Sequence, residues 1–273
     1  MMRSLWTAAS GMTAQQNNVD TIANNLANVN TTGYKMESAE FKTLLYQTLQ
    51  TRTTTANGEN KPVSAQVGLG TRNSSITSHY TQGPMLESAN PFAFAIQGDG
   101  FFAVMGADGN TYYTRNGNFF ISEFDDGSKL LCTSDGNPVI DELGSPIIFP
   151  AEIEANRITV NADGRFMYPD EANNPQELDI AFGLFQFTNP SGLNKNSGGL
   201  LSESEASGIP INEADGTVTK PSQLKQKYLE GSNVNVATEM VNLITAQRAY
   251  ELNSKAINAT DEMLQQANQL YRS

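Results

Sequence analysis

Residues 236–271 read VATEMVNLITAQRAYELNSKAINATDEMLQQANQLY, and the spacing of their apolar positions decides the fold. Val236, Met240, Leu243, Ala246 or Gln247, Tyr250, Ile257, Leu264, Ala267 and Tyr271 fall three and four residues apart in alternation, with Asn253 or Ser254 and Thr260 or Asp261 filling the polar slots. A period of about 3.5 is the seam of a helix that winds against other helices, narrower than the apolar face of a globular-core helix. A second row, Val241, Ile244, Leu252, Ala256, Ala259, Met263 and Leu270, runs at an offset around the same helix. One antiparallel contact buries one of these rows, so the other needs a further surface.

The opposite end repeats the pattern. Leu5, Ala8 or Ala9, Met12, Gln15 or Gln16, Val19, Ile22 or Ala23, Leu26 and Val29 form a stripe in which one slot is polar. Two striped ends imply termini that pack against other chains; the plainer alternative is a helical hairpin that caps one domain. Apart from a partner each end is expected to lack fixed shape, because an isolated amphipathic helix is marginal in water. The first helix is expected from Arg3 or Ser4 to about Asn28, where Thr31, Thr32 and Gly33 supply a turn. Gly11 inside it either permits a close helix crossing or is a local weakness. The last helix is expected to begin after a cap at Ser232 and Asn233.

Between the ends the grammar changes. Residues 36–75 are polar and Thr-rich, and residues 50–66 read as a loop that is mobile or ordered by a partner. From residue 76 to 229, runs such as Phe92 to Ile96, Phe101 to Met105 and Thr111 to Arg115 alternate with six Asp-Gly pairs, at Asp99, Asp108, Asp126, Asp135, Asp163 and Asp215. Such pairs are hairpin and turn signals, so a mostly antiparallel β domain is predicted. The fold class is therefore α+β: long N- and C-terminal helices forming a coiled-coil-like assembly stalk, with a central mostly antiparallel β domain. The expected divisions are 1–35, 36–75, 76–229 and 230–273.

Composition narrows the function. A formal net charge of −12, with no cluster of Lys or Arg, argues against nucleic acid and against an anionic membrane surface. Cys132 stands alone, which rules out an intrachain disulfide and a multi-cysteine zinc site; it reads as a small core residue. The N-terminal residues lack the apolar run of a Sec signal, and no stretch of about 18 apolar residues is present to insert into a bilayer.

Catalytic chemistry has few candidates. Gly98 to Ala103 fits a relaxed dinucleotide fingerprint, but Phe101 and Phe102 continue as a strand where a helix is required. His79 is the single histidine, with no nucleophile elbow. The carboxylates Asp99, Asp125, Asp126, Asp141, Glu142 and Asp163 make a glycosidase the strongest enzymatic rival, yet Asp99, Asp126 and Asp163 adjoin glycine and the others lie within three residues of one, where turn chemistry explains them. No Asp-Gly loop has calcium-loop spacing. The expectation is a protein without catalytic residues, cofactor or metal.

Three runs carry a resemblance. Asn24-Asn25-Leu26-Ala27-Asn28-Val29-Asn30-Thr31-Thr32-Gly33-Tyr34-Lys35 is similar to the N-terminal signature of bacterial flagellar rod and hook axial proteins. Leu229 to Asn235, Glu239 to Val241 and Gln247-Arg248-Ala249-Tyr250 through Ile257 resemble the family's other terminus. Phe94 to Phe102 and Thr114 to Phe119 resemble its central β motifs. The rod branch fits better than the hook branch, whose members carry an extra middle domain. The resemblance implies a helical tube built from copies of the chain, with terminal helices on the inner wall, the β domain outside, and export through the flagellar type III channel. The partners it implies are neighbouring proximal rod and hook-side axial proteins, and surrounding ring proteins. Subunit packing is then expected from Leu5, Met12, Val19, Ile22, Leu26, Val29, Val236, Met240, Leu243, Tyr250, Ile257 and Leu264. Residues 50–66 and 170–219 depart from the family pattern, and rod-like stiffness is tied to residues 46–70.

Overall fold

The structure is a computed structural model that describes residues 2–50, 65–124, 126–154, 157–170, 174–216, 218 and 220–272. It divides into two compact units: Met1–Ala27 with Glu37–Ser78 and Asn235–Ser273, and Asn28–Met36 with His79–Val234. The α+β class is observed: two long helices belong to the first unit, and an antiparallel β assembly forms the second.

In the helical unit α1 spans Met2–Ala27 and α2 spans Val236–Arg272. At 1.5 Å per residue they reach roughly 39 and 55 Å. They run antiparallel: the Asn25 side chain bonds that of Glu239 at 3.1 Å, while Gly11 lies against Asn253. A Cβ at Gly11 would stand 3.0 Å from Asn253 Nδ2, so the glycine serves a close crossing. Within one chain α1 gives α2 an apolar partner, which the isolated-helix argument omits. The expected cap is corrected here. Asn235 caps α2, its Oδ1 accepting from Thr238 N at 3.2 Å, and Asn233 bonds elsewhere.

Two strand pairs complete this unit. Glu37–Thr43 pairs antiparallel with Thr71–Ser78, with an irregularity at Glu40 and Phe41, and Tyr46–Gln50 pairs with Ala65–Gly68. The loop read over 50–66, and with it the core of the segment tied to stiffness, falls mainly on residues 51–64, which lie outside the described residues.

The β unit is built on hairpins. Among the described residues its largest sheet has six strands, in the order Asn194–Lys195, Leu201–Ser202, Thr111–Thr114, Phe101–Met105, Leu184–Gln186 and Ile211–Asn212, each antiparallel to the next. A three-stranded sheet joins Ile148–Phe149, Lys129–Cys132 and Phe120–Glu123. Another joins Thr159–Val160, Arg165–Pro169 and Pro175–Ala181. Of the six Asp-Gly turns, five place the glycine at positive φ, between 65° and 86°. The sixth differs: Gly100 leads into a strand, and a side chain there would meet Glu213 and Ser222. The core is aromatic, with Phe94, Phe102, Phe119, Phe149, Phe166 and Phe182 all buried. Phe102 meets Phe119 edge-on at 5.0 Å and Phe94 meets Phe182 at 4.8 Å, the arrangement that ring quadrupoles favour. Cys132 is buried, and its thiol is pushed upward by that burial.

Candidate functional site

The two helices show which of the expected packing residues meet within one chain. Along α1, Ile22 is buried and Leu5, Met12, Val19 and Leu26 are half-buried; Ala8, Ala14, Thr21 and Asn25 are buried beside them. Along α2, Ala246 and Thr260 are buried and Leu243, Asn253, Ile257 and Leu264 half-buried, which is the first row of the seam. Val236, Met240 and Tyr250 stay exposed at 40%, 51% and 38%. The reason at the start of the row is polar: Glu239 takes the buried place, accepting from Asn25 Nδ2 and, at 3.0 Å, from Asn242 Nδ2. Val19, Gln16, Gln247, Tyr250 and Glu251 line a groove of about 490 Å³ between the helices. The second row is open: Val241, Ile244, Leu252, Met263 and Leu270 are 50% to 78% exposed.

Among the motif residues, Asn25 pins the helical unit. Its Oδ1 accepts from Glu37 N at 2.9 Å and its Nδ2 donates to Glu37 O at 2.8 Å, so one carboxamide serves both polar atoms of that peptide residue. Asn24 and Ala27 are exposed beside it, as are Gln247 and Arg248 on α2, while Ala249 is half-buried.

The remaining motif residues fold into the β unit. Asn28 and Thr31 form a turn, with Thr31 N donating to Asn28 O at 3.2 Å, and Tyr34 N donates to Thr31 O at 3.4 Å. Val29 is half-buried there. Gly33, at φ +71°, donates to Glu230 O at 2.8 Å. Thr32 Oγ1 bonds Asn116 Oδ1 at 2.9 Å. Asn233 closes the opposite side, accepting from Met36 N at 2.7 Å and donating to His79 O at 2.8 Å.

At the centre of this junction lies a charge cluster. Glu230, whose side chain is fully buried, accepts through Oε1 from Lys35 Nζ at 2.6 Å, Gln82 Nε2 at 3.0 Å and Gly83 N at 3.0 Å. Its Oε2 accepts from Arg115 Nη1 at 3.3 Å. Lys35 Nζ also donates to Thr81 O, and Arg115 Nη2 to Gly98 O, both at 2.8 Å. The guanidinium lies 5.0 Å from the Phe101 ring centroid. Burial pulls the Lys35 ammonium below its usual range, and the Arg115 charge adds to that, against the opposing pull of Glu230. Each of the three motif runs contributes one member: Lys35, Arg115 and Glu230. Sequence reasoning quoted all three without a role; a lone charge set among glycine, asparagine and apolar residues was the available signal.

The catalytic candidates are placed differently. Asp141 Oδ1 accepts from Leu143 N and Ser145 N, which is turn chemistry. Glu142 and Asp163 share a recess with Arg165 and Glu213, but Glu213 is engaged by Ser222 N and Gln186 Nε2. That recess is about 230 Å³, under the roughly 300–1,000 Å³ of small-molecule sites. Asp125 lies outside the described residues.

Three family models match in chain order: flagella basal body rod protein over residues 5–35, flagellar hook protein FlgE/F/G D1 domain over 95–168, and flagellar basal body rod FlgEFG protein C-terminal over 225–270. The flagellar basal-body rod protein FlgG of Borreliella burgdorferi is 45% identical across 100% of both chains. The chain belongs to the flagellar basal-body rod protein family. Further FlgG proteins, from Agrobacterium fabrum at 42% over 96% of this chain and 97% of its own, and from Bacillus subtilis at 34% over 100% of both, agree. Membership of the rod family gives the two helices and the three motif runs a common context. The N-terminal model covers α1 and its exit through Lys35, and the C-terminal model covers Glu230 and most of α2. Among the described residues no helix is long and apolar enough to cross a membrane.

Proposed function

We propose that this chain is a non-enzymatic structural subunit of the distal part of the flagellar rod, self-assembling through its terminal helices into a hollow shaft that transmits torque to the hook and lets exported subunits pass. Its neighbours are copies of itself, then proximal rod and hook-side axial proteins, with ring proteins around them. The observation that carries the reading is the second row of α2. Val241, Ile244, Leu252 and Met263 form a greasy stripe that α1 leaves uncovered, and a regular helix does not keep such a stripe in water without a partner. The packing residues Val236, Met240 and Tyr250 are also exposed on the same helix. Coiled-coil packing across the stripe distributes torque over many contacts instead of one joint. Export without a cleaved Sec signal accompanies this reading.

The test is to replace Val241 and Leu252 by Asp in the full chain. Both are more than 60% exposed, so the unassembled chain should keep its circular dichroism spectrum and its stability to within about 0.5 kcal/mol. Basal bodies should lack a completed rod, and cells should be non-motile. Motile cells with normal rods containing the double variant would overturn the proposal.

A further inference from the structure

The β unit holds a polar recess that neither the helices nor the charge cluster uses. In the six-stranded sheet, Thr111–Thr114 meets Leu201–Ser202 through the pair Leu201↔Tyr113. Beyond that pair the two segments flank a cavity of about 370 Å³, lined by Asn110, Thr111, Tyr112, Tyr113, Ser202 and Glu203. This volume lies within the roughly 300–1,000 Å³ of small-molecule sites, which the recess at Glu142 does not reach.

One wall is held in place. Asp108 Oδ2 accepts from Tyr112 Oη at 2.8 Å and from Asn110 Nδ2 at 2.6 Å, while Asp108 Oδ1 accepts from Asn110 N at 3.3 Å. That carboxylate is committed to its own turn, so Tyr112 and Asn110 are ordered in advance. The groups opposite are open. Tyr113 is 4% exposed, its ring edge-on to Phe187 at 4.8 Å and to Phe185 at 5.6 Å. Among the described residues its hydroxyl has no hydrogen-bond partner, and neither have Ser202 Oγ and the Glu203 carboxylate. A buried phenol ordinarily finds a partner, because an unmatched one is costly. Among the described residues, the side-chain polar atoms both sealed from solvent and unbonded are Asn73 Oδ1 and Arg115 Nε. The Tyr113 hydroxyl is not one of them, so it opens into the recess that its residue lines.

These open groups select the ligand. Burial pushes the Tyr113 phenol up to about 12, so it remains a donor at neutral pH, and Glu203 lies close enough for its charge to add to that shift. Glu203 repels anions. A cation would satisfy Glu203 but has no acceptor for the phenol proton. A neutral molecule with several hydroxyls donates to the carboxylate and accepts from the phenol, and the Ser202 hydroxyl can do either. We propose that this recess binds an uncharged saccharide, with one sugar hydroxyl bridging Tyr113 Oη and Glu203 and a second meeting Ser202 Oγ. The site lies wholly within one chain, so binding does not depend on assembly and stands apart from the rod reading.

Saturation-transfer NMR on the dilute full chain tests it, with maltotriose and triacetylchitotriose as neutral probes and trilysine as a cationic one. At least one saccharide should bind. Tyr113→Phe keeps the packed ring and removes a hydroxyl that has no partner within the chain, so the fold should persist while binding weakens about threefold to tenfold. Glu203→Gln alters an exposed side chain, should leave the circular dichroism spectrum unchanged, and should weaken binding by about tenfold. No binding of either saccharide, or binding that both variants leave within about twofold of the wild type, would overturn the site. Trilysine bound more tightly than both saccharides, and released by Glu203→Gln, would overturn the ligand class in favour of a cation.

Discussion

Glu230→Gln keeps the shape of the side chain at the junction and removes its charge. Lys35 and Arg115, with side chains 5% and 2% exposed, would then be two buried cations that have lost their hydrogen-bonded counter-ion, with Asp99 acting on them only through space. Removing one partner of a buried ion pair costs about 3–5 kcal/mol, since the remaining charge is neither solvated nor paired. The cost depends on pH. The folded chain holds the Lys35 pKa below its ordinary value of 10.5, so between the two values the unfolded chain binds more protons and stability rises with pH. Glu230 is one of the groups that raise the Lys35 pKa, and its loss moves that window lower. The deficit of the variant should therefore be largest where Lys35 is fully charged and shrink as the pH approaches the lysine range. Cys132, the single cysteine, is buried in the β unit, so the urea dependence of its labelling reports opening of that unit alone. With a slope of about 2–3 kcal/mol per molar urea, the midpoint should fall by roughly 1–2 M near neutral pH. A fall of less than about 0.3 M on that slope, or a gap between the proteins that stays constant as pH rises, would refute the reasoning.

Gly33→Ala places a Cβ 2.8 Å from Asn116 N and 2.9 Å from Arg115 C at a backbone φ of +71°, so the same labelling assay should show a loss of at least about 2 kcal/mol; a neutral result would mean that the junction yields easily. Tyr113 is buried and its phenol is pushed up to about 12 from 10.0, chiefly by that burial. The folded chain then keeps a proton that the unfolded chain loses, and stability should fall by roughly 2–3 kcal/mol as pH rises from about 10 to about 12. Tyr113→Phe should lack that component, and parallel curves for the two proteins would contradict the assignment.

Periodic features were legible in the sequence because they follow from local geometry. The first row of α2 was readable to within one residue, with Asn253 or Ser254 and Thr260 or Asp261 at its polar slots, and the second row followed from counting faces. The Asp-Gly turns were equally plain, since a positive φ is a local demand that glycine meets. What stayed hidden was pairing across the chain. Lys35 and Glu230 are 195 residues apart, and no period connects them. The cap of α2 was misplaced for a related reason: Asn233 and Asn235 are both good capping residues, and only tertiary contacts with Met36 and His79 assign Asn233 elsewhere.

The junction and the helices meet opposite physical requirements. Apolar stripes attract without direction, so they supply adhesion but tolerate small rotations and slips. Buried charges and carboxamides contribute little net stability, yet their bonds are satisfied in very few geometries. Lys35, Arg115, Glu230 and Asn233 fix residues 28–36 and 228–234 within the β unit, and Asn25 fixes the end of α1 against Glu37 and Glu239 within the helical unit. Directional, buried polar groups and non-directional apolar rows therefore divide the work: the first specify the local geometry of each unit, and the second supply apolar area that tolerates adjustment.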